Sequence, residues 1–311
     1  MTRALERVAG LQAQWEPAPP LGLWARLEGF RAEELDQALA RRTAVRATLM
    51  RATIHLVSSR DYLRFHPALL PMLQRKWRQH RSRVPEDPEL EKLAGRILAA
   101  AAEPRRAGEL KPLLEPDDEL GTRWFRIRHH VPLIRLGLRY VAAEAWLGRP
   151  FAPVEEGLRH LVRRYLAAFG PATTSDVAAW SGLQVAELRE ELDRMRLRRF
   201  RDEQGRVLYD LQRAPLPPAD VPAPPRLLPR FDSLILSHAD RTRVVSEEHR
   251  RLVIKGGEVD PVLLVDGFVA GRWRREGKRI ELEPFVPLRR SELNAIRAES
   301  DALARWLLRG V

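Results

Sequence analysis

Two glutamines near the start of the chain, Gln12 and Gln14, have the types and spacing that best suit a chemical role. Helical neighbours at i and i+2 diverge around the helix axis, whereas alternate residues of an extended strand project to one side. Only extended backbone therefore lets the two amides address a common point. Pro17 favours it, because proline disfavours the helical region for Glu16 and ends any helix that runs through residues 4–10. The pair then has the geometry to hold one water molecule.

A water held by two amides suits a hydrolysis whose leaving group departs readily, because an amide cannot take up the proton of that water. The alternative is that Gln12 and Gln14 only cap backbone groups near a helix end.

Six segments of the chain, in the same order, resemble the AlkZ and YcaQ group of DNA glycosylases. They are GLQAQ (10–14), LGLWARLEGF (21–30), RATLMRATIHLV (46–57), YLAAFGPATTSDVAAWSGL (165–183), LLPRFDSLILSHADRTRVV (227–245) and VLLVDGFVAGRWR (262–274). The resemblance spans nearly the whole chain and implies a scaffold of tandem winged helices. It also implies that Gln12 and Gln14 are the catalytic motif, in the double-Gln form of the AlkZ branch. The implied activity is removal of alkylated purines, or unhooking of interstrand crosslinks, from double-stranded DNA. Hydrolysis of an N-glycosidic bond passes through an oxocarbenium-like sugar and needs a positioned water. Neutral amides can suffice for N7-alkylated or N3-alkylated purines, because these bases already carry a positive charge and depart readily.

The chain departs from this family pattern in two places. Family members usually carry a helix rich in Leu, Arg and Gln ahead of the motif, whereas only eleven residues precede Gln12 here. They also carry a longer, Gly-rich insertion in the hairpin that turns at Gly137. The expected consequences are a looser site and an altered DNA contact.

The matched segments and the basic clusters beside them supply candidate DNA-binding side chains. The predicted set is Arg51, His55, His238, Arg241, Arg243, Arg272 and Arg274. Arg51 and His55 alternate on a predicted strand and therefore project from one face, close to the glutamine motif. Asp240 is expected to cap the turn that leads into this basic stretch. For the last two arginines the alternative is a solvated rim that contacts no phosphate.

The charge balance indicates a polyanionic partner. The formal net charge is +12 and the sequence pI is about 10.8, and neutralising phosphates with such charge releases condensed counterions. Most of the cations are arginines, which bind phosphate bidentately, although a GC-rich genome would produce the same bias. DNA is the natural candidate, and charge alone also fits a nucleoid or RNA-associated protein.

Several classes of site are excluded. The chain has no cysteine, which rules out disulfides, thiolate metal sites and a thiol nucleophile. It lacks a glycine-rich phosphate loop, a metal-spaced histidine pair and a serine nucleophile elbow, so no metal or cofactor is predicted. No apolar run is long enough to span a membrane, and the N-terminus lacks the apolar stretch of a signal peptide. A cytoplasmic protein is expected.

Residues 1–85 and 86–150 are predicted to form two winged-helix-like units. The elements predicted for the first are a helix over 32–41, strands over 45–50 and 53–57, and a helix over 61–79 capped by Ser59. The elements predicted for the second are helices over 88–103, 107–114 and 118–130, and strands over 133–136 and 139–142. The turn between the last two strands is placed at Gly137.

Residues 151–213 carry the clearest winged-helix order. The predicted elements are a helix ending at Phe169, a short helix capped by Thr174 or Ser175 and ending near Gly182, a helix over 184–195, and a hairpin of strands 198–201 and 207–211. The third helix opens with acidic residues that would face phosphate, namely Glu187, Glu190 and Glu191. This argues against a reader of DNA sequence and favours a scaffold with a solvated acidic face.

The C-terminal part begins after a proline-rich linker over 214–226, which cannot be helix or central strand. Beyond it, short strands are predicted over 227–236, 243–245, 252–254, 262–265, 268–273 and 279–282. They are expected to form a small barrel-like sheet over 227–311, closed by a terminal helix that Ser291 caps.

The prediction is therefore an α+β protein with tandem winged-helix units, a barrel-like C-terminal sheet and a terminal helix. We expect a monomeric, cofactor-independent and monofunctional DNA glycosylase, because no lysine or N-terminal proline amine near the motif offers a Schiff base. The alternative is a winged-helix DNA-binding protein without catalysis, such as a regulator or damage sensor. A regulator should prefer one unmodified sequence, whereas a glycosylase should act on alkylated bases.

Overall fold

The first half of the chain builds one antiparallel sheet and the helices around it. The computed structural model describes residues 1–80, 90–114 and 122–309. The elements in this half are α1 (Thr2–Arg7), β1 (Leu11–Gln12), α2 (Ala18–Trp24), α3 (Ala32–Ala40), β2 (Ala44–Thr48), β3 (Ile54–Ser58), α4 (Ser59–His80), α5 (Leu90–Ala100), β4 (Arg105–Arg106), α6 (Ala107–Leu110), α7 (Thr122–His130), β5 (Leu133–Leu136), β6 (Arg139–Ala142) and α8 (Ala143–Leu147). Short 3-10 helices cover Met50–Ala52 and Lys111–Leu114. The predicted starts of two helices, at 88–89 and 118–121, lie outside the described residues.

The six strands of this sheet are hydrogen-bonded in the order β1-β3-β2-β5-β6-β4. The hairpin β5–β6 has the predicted bounds and turns at Gly137, which has a φ of +58°. β2 and β5 pair through Ala47 and Ile134, so strands of the first two predicted units lie in one sheet. The short strand β1 forms the edge beside β3 and carries Gln12.

The middle of the chain has the predicted order of three helices followed by a hairpin. Its elements are α9 (Val154–Phe169), α10 (Thr174–Ser181), α11 (Val185–Arg194), β7 (Leu197–Arg201) and β8 (Val207–Leu211). Two carboxylates of the acidic α11 contact protein arginines: Glu187 binds Arg75 at 2.9 Å and the buried Glu191 binds Arg159 at 2.9 Å. Part of the acidic face therefore holds α11 on the neighbouring helices.

Two predicted helix caps are wrong by one position. Thr173, not Thr174 or Ser175, caps α10, because its hydroxyl accepts the backbone N–H of Asp176 at 3.1 Å and the Asp176 carboxylate accepts the N–H of Thr173 at 2.8 Å. This reciprocal capping box satisfies two orphan donors at once. Ser58, not Ser59, accepts the N–H of Asp61 at the start of α4, at 3.1 Å.

The C-terminal part differs most from the prediction. Its elements are β9 (Arg226–Leu228), α12 (Ser233–Leu236), α13 (Glu247–Val253), β10 (Ile254–Lys255), β11 (Glu258–Val259), β12 (Val262–Val265), β13 (Phe268–Glu276), β14 (Arg279–Pro284) and α14 (Arg290–Leu307). A 3-10 turn covers Arg241–Arg243. The sheet is an open one of four antiparallel strands in the order β14-β13-β12-β9, with β10 and β11 as a separate pair. The predicted barrel-like sheet is therefore wrong.

Side-chain caps explain why predicted strands became helices. The Asp232 carboxylate accepts the N–H of Leu234 at 2.9 Å and starts α12 inside the predicted strand 227–236. Ser246 in the same way accepts the N–H of His249 and starts α13. Such capping overrides an apolar pattern that is too short to distinguish strand from helix. The predicted cap Ser291 is also wrong, since α14 begins after Arg289.

Hydrophobic cores on both faces of the six-stranded sheet determine where β1 lies. The central core, which includes Phe65, Tyr165 and Trp180, packs one face against α4, α9 and α10. The terminal core joins the other face to the C-terminal sheet and to α14, and it includes Leu11, Trp273 and Trp306. The chain's two ends thus pack together, while residues 212–225 form neither helix nor strand. The predicted mixture of helices with antiparallel strands, an α+β fold, is confirmed.

Candidate active site

The predicted extended backbone is present at Gln12, the last residue of β1, whereas Gln14 lies two residues further on, in a bend. Gln12 pairs with His55 of β3, and the N–H of Ala13 donates to the Ile54 carbonyl at 2.7 Å. Leu11 and Ala13 point the other way, into the terminal core. Gln12 is only 6% exposed, whereas Gln14 is exposed.

The hydrogen bonds of both amides define their orientation. The Gln12 Oε1 accepts from Nη2 of Arg51 at 2.8 Å, and the Gln14 Oε1 accepts from the backbone N–H of Ile54 at 3.3 Å. Both partners can only donate, so both amide oxygens must face them and both Nε2 groups must face away. Neither Nε2 has a partner among the residues that the structure describes. Each amide therefore keeps two N–H donors and one oxygen lone pair for water or substrate.

The turn that carries Arg51 is held in an unusual conformation. Arg51 and Ala52 both have left-handed backbone, with φ of +54° and +61°, which costs about 1–2 kcal/mol per residue for L-amino acids. The Arg51 guanidinium also donates from Nη1 to the carbonyl of Trp180 at the end of α10. Gly182, just after that helix, lies against the Arg51 backbone, and a Cβ there would lie 3.2 Å from the Arg51 Cα.

We predict that Gly182→Ala lowers the free energy of unfolding by about 2 kcal/mol, measured by urea denaturation. Its φ of +84° disfavours any Cβ, and the new methyl would crowd the turn of Arg51. Gly205→Ala is the matched control, because Gly205 has a φ of +75° but no atom within 4 Å of its ideal Cβ. This variant should lose only the free energy that left-handed backbone costs an alanine, about 1 kcal/mol. Equal losses in both variants would show that the contact with Arg51 does not matter.

His55 faces Gln12 across the strand pair and is 1% exposed. Its Nδ1 lies 3.0 Å from the Thr53 carbonyl oxygen, which can only accept, so Nδ1 carries the proton and Nε2 is the bare acceptor. Burial, reinforced by the positive charge of Arg51, lowers the pKa of His55 to about 3. The imidazole beside Gln12 is therefore neutral at physiological pH.

The buried histidines predict a loss of stability in mild acid. Burial lowers the pKa of His55 to about 3 and of His66 to about 4, from an ordinary 6.5. Below pH 6.5 the unfolded chain takes up these protons and the folded chain does not, so stability falls until the folded pKa is reached. At pH 5 each histidine should lower the free energy of unfolding by about 2 kcal/mol relative to pH 7, measured by urea denaturation. His66→Phe should remove its own share of this difference, and an unchanged difference would contradict the prediction.

Among the other predicted DNA-binding residues, Arg241 is the one whose positive charge acts on this site. Burial, together with the positive charge of Arg241, lowers the pKa of Arg51 to about 10. Asp240 caps the turn that carries Arg241, as predicted, by accepting the N–H of Thr242 at 3.1 Å. The structure therefore brings Gln12, Arg51 and His55 together, and the charge of Arg241 acts on Arg51.

The remaining predicted residues lie in two other places. His238 is buried, with Nε2 at 3.2 Å from the Phe169 carbonyl, and Arg243 donates to the Pro171 carbonyl at 2.9 Å. Arg272 and Arg274 lie on β13, where each binds a glutamate of β14 at 2.7 Å. They line a cleft of about 760 Å³ that also includes Trp15, the neighbour of Gln14.

Sequence analysis missed two groups that position this site. They are the carbonyl of Trp180, which accepts from Arg51, and Gly182, which packs against the Arg51 backbone. Both lie in the matched segment 165–183, which was the available signal, but a backbone acceptor has no side-chain signature. No group of three or more His, Asp or Glu suited to a metal ion occurs within residues 1–80, 90–114 and 122–309.

The comparison with protein families identifies the class to which this fold and site belong. The family described as DNA glycosylase AlkZ-like matches residues 5–306, so the chain belongs to this family. The predicted resemblance is confirmed. Among the helices in the described part of the chain, none has the length and apolar character needed to cross a membrane.

Two further comparisons both lead to Streptomyces sahachiroi. A curated relative, an interstrand DNA cross-link repair glycosylase, is 24% identical over an alignment of 335 positions that covers 96% of this chain and 88% of the relative. The solved structure of the S. sahachiroi DNA glycosylase AlkZ has a TM-score of 0.82 at 20% identity and covers 98% of this chain and 90% of its own. At that identity the structural likeness shows a shared fold.

Proposed function

We propose that this protein is a DNA glycosylase that hydrolyses the N-glycosidic bond of cationic N7- or N3-alkylated purines in double-stranded DNA. The observation that carries the proposal is the orientation of Gln12 and Gln14. Gln12 lies at the end of β1 and Gln14 two residues beyond it, and the amide oxygen of each accepts from a partner that can only donate. Membership in the AlkZ-like family supports the same activity.

In the proposed reaction, the two amides hold one water for attack on the anomeric carbon. The water donates its hydrogens to the remaining lone pairs of the two Oε1 atoms, which leaves an oxygen lone pair directed at the sugar. As the new C–O bond forms, the C–N bond breaks and its electron pair neutralises the departing alkylpurine. The extra proton of the water passes to solvent. The neutral amides suffice because the leaving base is already cationic.

The same chemistry extends to an interstrand crosslink that joins two N7-alkylated purines. Each linked purine is cationic, so breaking one N-glycosidic bond would unhook the two strands. The cross-link repair name of the S. sahachiroi relative supports this extension. We further propose a monomeric and monofunctional enzyme that acts in the cytoplasm, without a cofactor, and binds DNA through the basic residues predicted above.

The test is incubation of the purified protein with duplexes that each carry one modified base, followed by alkali to cleave abasic sites. We expect strand breaks at 7-methylguanine and none at uracil or hypoxanthine, whose leaving groups are neutral. Borohydride should trap no covalent adduct, because a monofunctional enzyme forms no Schiff base. Intact strands at 7-methylguanine, with crosslinked DNA also untouched, would instead indicate a DNA-binding protein without catalysis.

A further inference from the structure

Arg51, which holds Gln12, and Arg241 have no carboxylate partner among the described residues. Arg51 is partly buried and donates only to neutral oxygens, the Gln12 Oε1 and the Trp180 carbonyl. The partly buried side chain of Arg241 makes no hydrogen bond or ion pair with any residue in the described ranges, and its Nε is buried without a partner. Removing a cation from water without a partner is costly, and a bound anion would offset that cost.

Arg51 and Arg241 are both attached to α10. Arg51 donates to the Trp180 carbonyl, and the turn that carries Arg241 is fixed one helical turn earlier, where the Ala239 N–H donates to the Asp176 carboxylate at 2.9 Å. Burial and the charge of Arg241 lower the pKa of Arg51, and burial and the charge of Arg250 lower the pKa of Arg241. Glu247 opposes this effect on Arg241, but both of its oxygens are bound by Nε of Arg250. The pair therefore has N–H donors that no described residue binds.

We propose that Arg51 and Arg241 together bind one backbone phosphate of DNA beside the nucleotide to be excised, and that Arg51 links this contact to Gln12. A phosphodiester fits because it is a monoanion with oxygens that accept from two guanidinium groups at once. The second half of the proposal rests on the proposed glycosylase function. The first half concerns DNA binding alone.

The link follows from the donors of one guanidinium. Arg51 has five N–H groups, of which one holds the Gln12 amide and another holds Trp180. The other donors remain for phosphate, so a bound phosphate and the Gln12 oxygen are fixed by the same rigid plane. Arg51 is thus a positioning residue, because it orients the glutamine and the nucleotide and does not touch the reacting bond.

The binding test measures the affinity of the full chain for duplexes that carry a stable abasic-site analogue and one neutral methylphosphonate, moved stepwise along the strand. Wild type should lose about tenfold affinity at one position near the analogue, the worth of a charge-assisted contact. Arg241→Gln should bind ordinary DNA about tenfold more weakly than wild type. Its affinity should not fall further when the methylphosphonate is at that position. Arg297→Gln, which removes an exposed charge on α14, should keep the wild-type profile.

The proposed phosphate site would be overturned if Arg241→Gln and the methylphosphonate weakened DNA binding additively at every position of the substitution. So would competition by inorganic phosphate at constant ionic strength with no effect of methylphosphonates, because the pair would then take a free anion. These results do not depend on base excision. The site therefore stands or fails separately from the proposed glycosylase activity.

The positioning role is tested by single-turnover excision of 7-methylguanine with Arg51→Lys, which keeps the charge but loses the planar fork. We expect the rate at saturating protein to fall about 100-fold, while DNA affinity changes less than about threefold. In the Gln12→Ala background the same change should have little further effect on the rate. A loss of affinity with an unchanged saturated rate would overturn the link to Gln12.

Discussion

Gln12→Ala is expected to lower the single-turnover rate of 7-methylguanine excision by about 100- to 1000-fold, the range seen when one fixed polar group of a reaction site is removed. Gln12 is buried, and a guanidinium holds its oxygen at 2.8 Å. Gln14 is exposed, and its bond to the Ile54 N–H is 3.3 Å long. Because the better-fixed amide places the water more tightly, Gln14→Ala should cost less, about 10- to 100-fold.

The double variant separates this prediction from a general loss of folding. If both amides hold the same water, Gln12→Ala/Gln14→Ala should be little slower than Gln12→Ala alone. DNA affinity and the unfolding temperature should stay close to wild type. Gln37→Ala, which removes an exposed glutamine on α3, is the matched control. Multiplicative losses would show that the two glutamines act separately, and an unchanged rate in Gln12→Ala would refute its role.

Asp232→Ala should lower the free energy of unfolding by about 3–4 kcal/mol, the largest stability effect that we expect. Asp232 is buried and binds Arg26 through both oxygens, at 2.7 and 2.9 Å, while also capping α12. Burial would by itself lower the pKa of Arg26, but the carboxylate raises it overall. Removing Asp232 leaves a partly buried cation and an open helix end between the N-terminal helices and the C-terminal part.

Urea denaturation at pH 7 measures this loss against a surface pair. Glu281→Ala breaks the exposed bond to Arg274 on the C-terminal sheet and should cost less than about 1 kcal/mol. The double variant Arg26→Leu/Asp232→Leu should recover part of the loss, because no charge is then left without a partner. A loss from Asp232→Ala as small as that from Glu281→Ala would contradict a structural role for the ion pair.

Local sequence rules were sufficient where neighbouring residues decide the conformation. The extended backbone predicted from the spacing of the glutamines and from Pro17 is found at Gln12, whereas Gln14 lies in the bend that follows β1. The hairpin β5–β6 was predicted to the residue, because alternation and Gly137 define both strands and the turn. The helix order of the middle part followed from apolar residues at helical spacing.

The same rules failed where one side chain redirects a short apolar run. Asp232 and Ser246 turn parts of two predicted strands, 227–236 and 252–254, into helix by capping the first N–H groups. What remains of these strands is short, namely β9 and β10, and the C-terminal sheet has only four strands and stays open. Strand pairing across the chain, as between Ala47 and Ile134, was likewise not predictable because it depends on packing of distant segments.

The sequence by itself determined the family, the pair of glutamines and the extended backbone at Gln12, because residue types and near neighbours carry that information. Only the tertiary structure decided what the amides can do. Arg51 lies 39 positions from Gln12 and Trp180 lies 129 from Arg51, so no local pattern links them. Packing of α10 against the turn of Arg51 brings these groups together. That contact orients the Gln12 amide through Arg51, whose guanidinium has no carboxylate partner.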